Sequence, residues 1–139
     1  TIFSFSRDEE RNAECQHFDV SQQHLIASGA YIYEPNAAII KAGAFKLVAQ
    51  RYGLCKIAPN THLYLSEHLV EDFPGRVWQI IESNIKDAKN THASILTRNY
   101  PLTPEQLRKK LKIKDDDTHT VIGARLADKP TLFLAKRVH

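Results

Sequence analysis

The chain has 139 residues, of which 42% are hydrophobic and 25% charged, so it can hold one ordinary globular domain or two very small ones. No apolar run approaches the roughly 20 residues that a membrane helix needs, and no basic and apolar signal segment opens the chain. These features argue against a membrane protein, and we expect a cytoplasmic protein with no membrane partner.

Charge is distributed unevenly along the chain, although the net charge is only +3. The first thirty residues lean acidic. The part from position 98 onward leans basic through Arg98, Arg108, Lys109, Lys110, Lys112, Lys114, Arg125, Lys129, Lys136 and Arg137. An asymmetry of this kind indicates an anionic partner for the C-terminal part.

The cysteines and histidines do not form a metal-binding pattern. Cys15 and Cys55 lie far apart without a CxxC motif, which favours reduced thiols over a disulfide. His62 and His68 lack the four-residue spacing that puts two ligands on one helix face. We therefore expect no metal site.

Residues 1–29 precede the first clear structural pattern. Alternating apolar and polar residues over positions 1–5 predict a short strand, and the polar stretch after it lacks periodicity. We interpret residues 1–29 as a linker or loosely packed arm that comes from a missing upstream domain.

Residues 30–84 predict a first compact unit. A strand over 31–34 leads into a helix over 37–52, with Asn36 as its N-cap and Gly53 just past its end. Strands follow at 54–57, 62–66 and 76–82, with one helical turn possible over 67–72. This order predicts an α+β fold, a ferredoxin-like α/β sandwich with one sheet face covered.

Residues 85–139 predict a second unit, which follows a polar connector over 83–91. A strand over 93–98 precedes a helix whose start carries Thr103 as N-cap, Pro104 at the first position and Gln106 in a capping box. The helix runs to about position 113, and strands at 118–126 and 131–137 form a hairpin. The predicted order is β-α-β-β.

Basic side chains of this second unit form the first candidate site. Three lie on helix faces away from the leucines, and two come from strands that should flank the helix; the set is Arg98, Arg108, Lys109, Lys112 and Arg125. Positive charge on a helix and adjacent strands can follow the phosphates of a nucleic acid. A lysine-rich face that is merely solvated explains the same pattern equally well.

The second candidate site consists of Tyr31, Tyr33, Glu34 and Asn36, for docking another domain or completing a shared site. Glu34 comes just before a helix N-terminus, where free N–H groups favour its charge. It is either a structural anchor or a carboxylate that completes a site with another domain. The two tyrosine rings could stack on bases, although more often one such ring is in the core and the other is partly exposed.

No catalytic or cofactor-binding motif is present. The chain lacks GxGxxG, GxxxxGK[ST], GxSxG and HExxH. We therefore expect no catalytic residues and no bound cofactor in this chain.

Four stretches resemble one bacterial family of class I SAM-dependent methyltransferases, with members in Bacteroidetes. They are YIYEPNAAIIKAGAF at 31–45, PNTHLY at 59–64, DFPGR at 72–76 and TRNYPLTPEQLRKKL at 97–111. The resemblance implies a ferredoxin-like domain at 30–84 followed by a THUMP-like domain at 85–139. It also implies that S-adenosyl-L-methionine is bound by an upstream catalytic domain, and that RNA is the substrate class.

The leading hypothesis is thus a non-catalytic, RNA-binding C-terminal region of a SAM-dependent methyltransferase, whose partners are RNA and its own upstream methyltransferase domain. The alternative is a structural docking module of the methyltransferase with no nucleic-acid contact. A small enzyme acting on its own is the third hypothesis, and the absence of a glycine-rich anion-binding loop argues against it.

Overall fold

The computed structural model describes residues 4–85 and 91–138. Its elements in chain order are α1 (Arg7–Asn12), β1 (Tyr31–Pro35), α2 (Ala37–Ala42), α3 (Phe45–Tyr52), β2 (Cys55–Ala58), β3 (Thr61–Ser66), β4 (Gly75–Ser83), β5 (Ser94–Arg98), α4 (Pro104–Leu111), β6 (Thr120–Leu126) and β7 (Lys129–Arg137). A single 3₁₀ turn over Gln23–Ile26 lies between α1 and β1. The α+β class predicted from the sequence is confirmed.

The strands form one mixed sheet of seven strands in the order β2-β3-β1-β4-β7-β6-β5. The pair β5·β6 is parallel and the other pairs are antiparallel. The sheet curls so far that its two ends meet. The backbone N–H of Ala127, after β6, donates to the carbonyl of Ile57 in β2 at 2.9 Å, and Asn99, after β5, donates to the Thr61 hydroxyl at 3.2 Å.

Curling gives the sheet an inner and an outer face. Side chains from all seven strands meet inside in one cluster, which includes Ile32, Ile57 and Phe133. On the outer face, α2 and α3 cover a second cluster around Tyr33 and Tyr64, and α4 covers a third cluster around Leu107. Both faces are therefore buried over part of the sheet, where one covered face was predicted.

The single helix predicted over 37–52 is wrong, because the chain breaks it into α2 and α3. Gly43 takes a left-handed φ of 78° and closes α2, with its N–H bonded to the carbonyls of Ile39 and Ile40. A second left-handed glycine, Gly53 at φ 65°, ends α3 where the sequence predicted the helix end. The break lets two short helices follow the curvature of the sheet.

The N-terminal segment is packed against the domain, contrary to the loose arm that its composition predicts. Ser6 and Glu9 form a capping box at the start of α1. The Glu10 carboxylate accepts from the backbone N–H groups of Lys46 (3.1 Å) and Leu47 (2.8 Å) at the start of α3. Ser4 and Phe5 are not in a strand, and the rest of the strand predicted over 1–5 lies outside the described residues.

The same segment also covers the exposed edge of β2. Lys56 donates its backbone N–H to the carbonyl of Gln16 and accepts from the N–H of Phe18, both at 2.8 Å. These bonds satisfy backbone groups that an edge strand leaves unpaired. The segment therefore extends the sheet by a short parallel bridge between His17 and Lys56.

The β-α-β-β order predicted for the C-terminal part is confirmed as β5-α4-β6-β7. Thr103 and Gln106 form the predicted capping box at the start of α4, and Leu107 is buried beneath the helix. Ala127, at φ 58°, lies in the tight turn between β6 and β7. The helical turn that was possible over 67–72 does not form, because this stretch consists of bends and turns. Residues 86–90 of the predicted connector lie outside the described residues.

Cys15 and Cys55 are free thiols that pack in different clusters on the two faces of the sheet. Burial raises the pKa of the Cys55 thiol to about 11, so this thiol is protonated at neutral pH. Within residues 4–85 and 91–138, no helix has the length and apolar character required to cross a bilayer.

Candidate functional site

Three charged side chains from three strands meet at one end of the inner face. Glu34 lies near the end of β1, and the β1–β4 register places Arg76 directly opposite it. Arg98 is the last residue of β5, at the far edge of the sheet order. The curl of the sheet brings that edge back to Glu34.

The carboxylate is held by both guanidinium groups. Arg98 Nε lies 2.5 Å from Glu34 Oε2, and Arg98 Nη2 lies 3.3 Å from Oε1. Arg76 Nη2 donates to the same Oε1. The Glu34 side chain is 7% exposed, whereas those of Arg76 and Arg98 are 41% and 40% exposed. A buried anion is thus covered by two cations that reach solvent.

Burying a carboxylate is costly unless charged donors compensate, and a forked guanidinium does so with two parallel hydrogen bonds. Here two guanidinium groups neutralise one carboxylate, which leaves an excess of one positive charge at the cluster. Glu34 therefore acts as an anchor that holds the two arginines together. The excess positive charge of the two guanidinium groups can attract an anion from solvent.

Trp78 positions two of the cations at this end of the sheet. The guanidinium carbons of Arg76 and Arg137 lie 5.2 Å and 5.6 Å from the centre of its ring. Trp78 itself is only 2% exposed and belongs to the inner core. Stacking of this kind restricts the arginine rotamers and fixes the planes of the guanidinium groups.

A cavity of about 390 Å³ adjoins the cluster, between the end of β1, α2 and β4. It is lined by Glu34, Pro35, Asn36, Ala37, Ile40, Gly75, Arg76 and Arg98. Gly75 is required here, because a Cβ at this position would lie 2.1 Å from the carbonyl oxygen of Glu34. The close approach of β4 to β1 therefore depends on a residue without a side chain.

Of the two tyrosines predicted beside Glu34, Tyr33 has its ring in the core, where it cannot stack on a base. Tyr33 is fully buried; its hydroxyl donates to the carbonyl of His68 at 2.7 Å and accepts from the N–H of Val70 at 3.0 Å. Tyr31 is half-buried and packs against the same cluster. Asn36 caps α2 by accepting from the N–H of Ile39 at 3.1 Å. Of this predicted set, Glu34 and Asn36 line the cavity.

The predicted basic set is divided between three places. Arg98 is held by Glu34, and Arg125 donates to the carbonyl of Asp128 at 3.2 Å in the β6–β7 turn. Arg108 lies 3.5 Å from Asp115 and donates to the carbonyl of Ile113 at 3.4 Å, on the C-terminal side of α4.

Lys109 and Lys112 remain exposed at the end of α4. Neither ammonium group forms an ion pair in the described part of the chain. Together with Arg108 they form the α4 basic face, which is the part of the predicted set that the structure keeps together.

Sequence reasoning missed Arg76, Arg137 and the way Arg98 is used. The partner of Arg76, Glu34, lies 42 positions earlier in the sequence. The available signal was a pair of opposite charges near the ends of two strands of one predicted sheet. Only the register of β1 and β4 turns that pattern into a contact.

A separate titratable cluster lies under α3. The rings of Phe45 and His62 stack at 3.8 Å between centres, and the Lys56 ammonium lies 5.3 Å from the Phe45 ring centre. Burial and the nearby Lys56 charge lower the pKa of His62, so the imidazole is neutral at pH 7.

Comparison with known proteins gives matches to two domain families. Residues 31–74 match a ferredoxin-like domain and residues 75–137 match a THUMP domain-like family. The boundary between the matched ranges falls at the start of β4, so Glu34 belongs to the first range and both arginines of the cluster belong to the second. No match is found among curated proteins.

A crystal structure described as a "putative methyltransferase from Porphyromonas gingivalis W83" is similar to this chain. The similarity covers 99% of this chain at 36% identity with a TM-score of 0.82, but only 35% of the Porphyromonas protein. This chain thus spans about a third of the length of that protein. Residues 31–74 and 75–137 thus match the ferredoxin-like and THUMP-like domain families in that order, which confirms the resemblance seen in the sequence.

Proposed function

We propose that this chain is a non-catalytic, RNA-binding region of a SAM-dependent RNA methyltransferase, which positions RNA for a catalytic domain upstream. Its THUMP-like domain and its similarity to the Porphyromonas protein support the proposal. The observation that carries it is the α4 basic face, where Lys109 and Lys112 are exposed near the C-terminus of a helix in the THUMP-like range.

The physical basis is counterion release. Each ammonium group that contacts a phosphate frees condensed counterions from the RNA, so binding weakens as salt is added. Exposed lysines supply this attraction without reading sequence, because they reach phosphates and not base edges. The buried state of Tyr33 and Trp78 fits the same mode, since neither ring can stack on a base.

The residues of this chain do not fit a site for S-adenosyl-L-methionine. A nucleotide-type cofactor is commonly held by a glycine-rich turn between a strand and a helix. The five glycines here are isolated, at positions 29, 43, 53, 75 and 123. The methyl donor is therefore assigned to the upstream domain, and no reaction step is assigned to this chain.

The test is a salt titration of binding to a fluorescein-labelled RNA hairpin, followed by anisotropy. We expect log Kd to rise linearly with log salt concentration. Lys109→Glu should weaken binding several-fold at low salt and reduce the slope by about 1. Arg7→Glu is the matched charge reversal on α1, and it should leave binding unchanged. Absence of binding, or equal effects of the two variants, would contradict the proposal.

The second candidate function is a docking module that does not contact nucleic acid. It is favoured by the ion pairs that engage two of the five predicted RNA contacts, Arg98 with Glu34 and Arg108 with Asp115. Methylation by the whole protein separates the two functions. Activity that survives Lys109→Glu without loss supports docking, whereas a rise in KM for RNA supports the proposed role.

A further inference from the structure

We propose that the cavity beside Arg76 and Arg98 is a phosphate-binding site. It lies at the junction of the ferredoxin-like and THUMP-like ranges and does not include the α4 basic face. The inference goes beyond the proposed function, because it rests on the geometry of the arginines and not on RNA binding.

The first argument is the number of donors that remain for a ligand. A guanidinium group carries five N–H donors. Arg98 uses all three of its nitrogens, since Nε and Nη2 bond Glu34 while Nη1 donates to the Thr97 carbonyl at 2.8 Å. Arg76 makes one hydrogen bond within the described residues, through Nη2. Most of its fork is therefore available to an incoming oxyanion.

The second argument is charge. The Nη2 atoms of both arginines contact the same Glu34 oxygen, so the two cations lie side by side with a single anion between them. A phosphate group offsets this excess of one positive charge and, unlike a chloride ion, presents several oxygens that can each accept from a guanidinium N–H.

The third argument is preorganisation. Trp78 fixes the plane of Arg76, and Glu34 fixes its Nη2 end, so little rotamer freedom remains to be lost when a ligand binds. Gly75 lines the cavity, and the close approach of β4 to β1 at this residue holds Arg76 opposite Glu34. A preformed, cationic cavity with fork-shaped donors is suited to a tetrahedral oxyanion.

The experiment is an NMR titration of the ¹⁵N-labelled chain with sodium phosphate, with chloride removed to keep ionic strength constant. We expect saturable shifts at the side-chain Nε–H of Arg76 and Arg98 and at the backbone amide of Gly75. Arg76→Gln should weaken binding about tenfold, which corresponds to one charge-assisted hydrogen bond. Arg7→Gln, which removes the same charge from α1, should change nothing.

Arg76 is the appropriate variant because Arg98 keeps two contacts to Glu34 without it. Arg76→Lys retains the charge but not the fork, and it should bind phosphate more weakly than the native chain. Equal affinity in Arg76→Gln and the native chain, or shifts that never saturate, would overturn the assignment.

Two further ligands identify the source of the phosphate. A short oligoribonucleotide with a 5′-phosphate is compared with the same oligonucleotide ending in a hydroxyl. If the 5′-phosphorylated oligonucleotide binds more tightly than both the hydroxyl form and inorganic phosphate, the ligand is the end of a nucleic acid. If inorganic phosphate binds as tightly as the phosphorylated oligonucleotide, the ligand is a free anion. Lys109→Glu separates this inference from the proposed function. It should weaken binding of the RNA hairpin but leave the phosphate-induced shifts of Arg76, Arg98 and Gly75 unchanged.

Discussion

Glu34 and Arg98 lie 64 positions apart in the sequence, and yet Arg98 Nε lies 2.5 Å from Glu34 Oε2. The contact joins the ferredoxin-like range to the THUMP-like range across the curled sheet. Arg76 completes it from β4, the strand that pairs with β1 on one side and β7 on the other. The two ranges therefore share one sheet and one buried carboxylate.

Glu34→Gln should destabilise the chain, because two neighbouring cations lose the anion between them. Since both guanidinium groups reach solvent, we expect a loss of about 1–3 kcal/mol and not the full cost of an unpaired buried charge. Urea unfolding measures it, with Glu71→Gln, an exposed carboxylate, as the control. A loss no larger than that of the control would show that the cluster contributes nothing to stability.

A double-mutant cycle between Glu34→Gln and Arg98→Gln should show coupling, because each side chain is a direct contact of the other. We expect an interaction energy above about 0.5 kcal/mol. The measurement is urea unfolding of the native chain, both single variants and the double variant. If the losses in the free energy of unfolding are additive, Arg98 stabilises the chain through its contact with Thr97 and not through Glu34.

Gly75→Ala should be among the most disruptive single-methyl changes in this chain. Its Cβ would lie 2.1 Å from the Glu34 carbonyl oxygen and 2.9 Å from Pro35 Cα, and backbone atoms cannot rotate away. We expect a loss of about 1–3 kcal/mol or more. Gly123→Ala is the comparison, because its nearest atoms are side-chain carbons of Tyr100 and Leu132 at 3.1–3.3 Å. A larger loss at Gly123 would contradict the close approach of β4 and β1.

Glu10→Gln should loosen the N-terminal segment from α3. The two carboxylate oxygens accept from the backbone N–H groups of Lys46 and Leu47, one each, whereas the Gln amide has a single oxygen and can accept only one, weaker bond. We expect a loss of about 1 kcal/mol and faster hydrogen exchange at those two amides. Glu14→Gln, an exposed change in the same segment, should leave their exchange rates as they are.

Stability should fall as the pH drops below about 6.5, in part because of His62. Its pKa is lowered in the folded chain from an ordinary value of 6.5, so the unfolded chain takes up a proton first. The stabilising contribution is complete above pH 6.5 and is lost as the pH falls toward the folded pKa. His62→Gln should reduce the change of the urea midpoint with pH over this range, whereas His68→Gln, at an exposed site, should not.

Local signals in the sequence determined much of the secondary structure. Thr103, Pro104 and Gln106 specify the start of α4 through backbone bonds within four residues, so no tertiary contact is needed to predict it. Gly53 likewise marks the end of α3. Gly43 carried the same kind of signal for the break in the helix, but the apolar pattern that continues beyond it favoured one long helix.

Only the tertiary structure determines which charged side chains contact each other. Arg98 and Glu34 were each predicted as site residues, but in separate sites, because their contact depends on a sheet that curls until its edge strands meet. The packing of the N-terminal segment has the same origin, since Glu10 and Lys56 find their partners only after α3 and β2 are in place. Capping and turn residues act over a few bonds, whereas ion pairs and edge contacts join distant parts of the chain and follow from its global path.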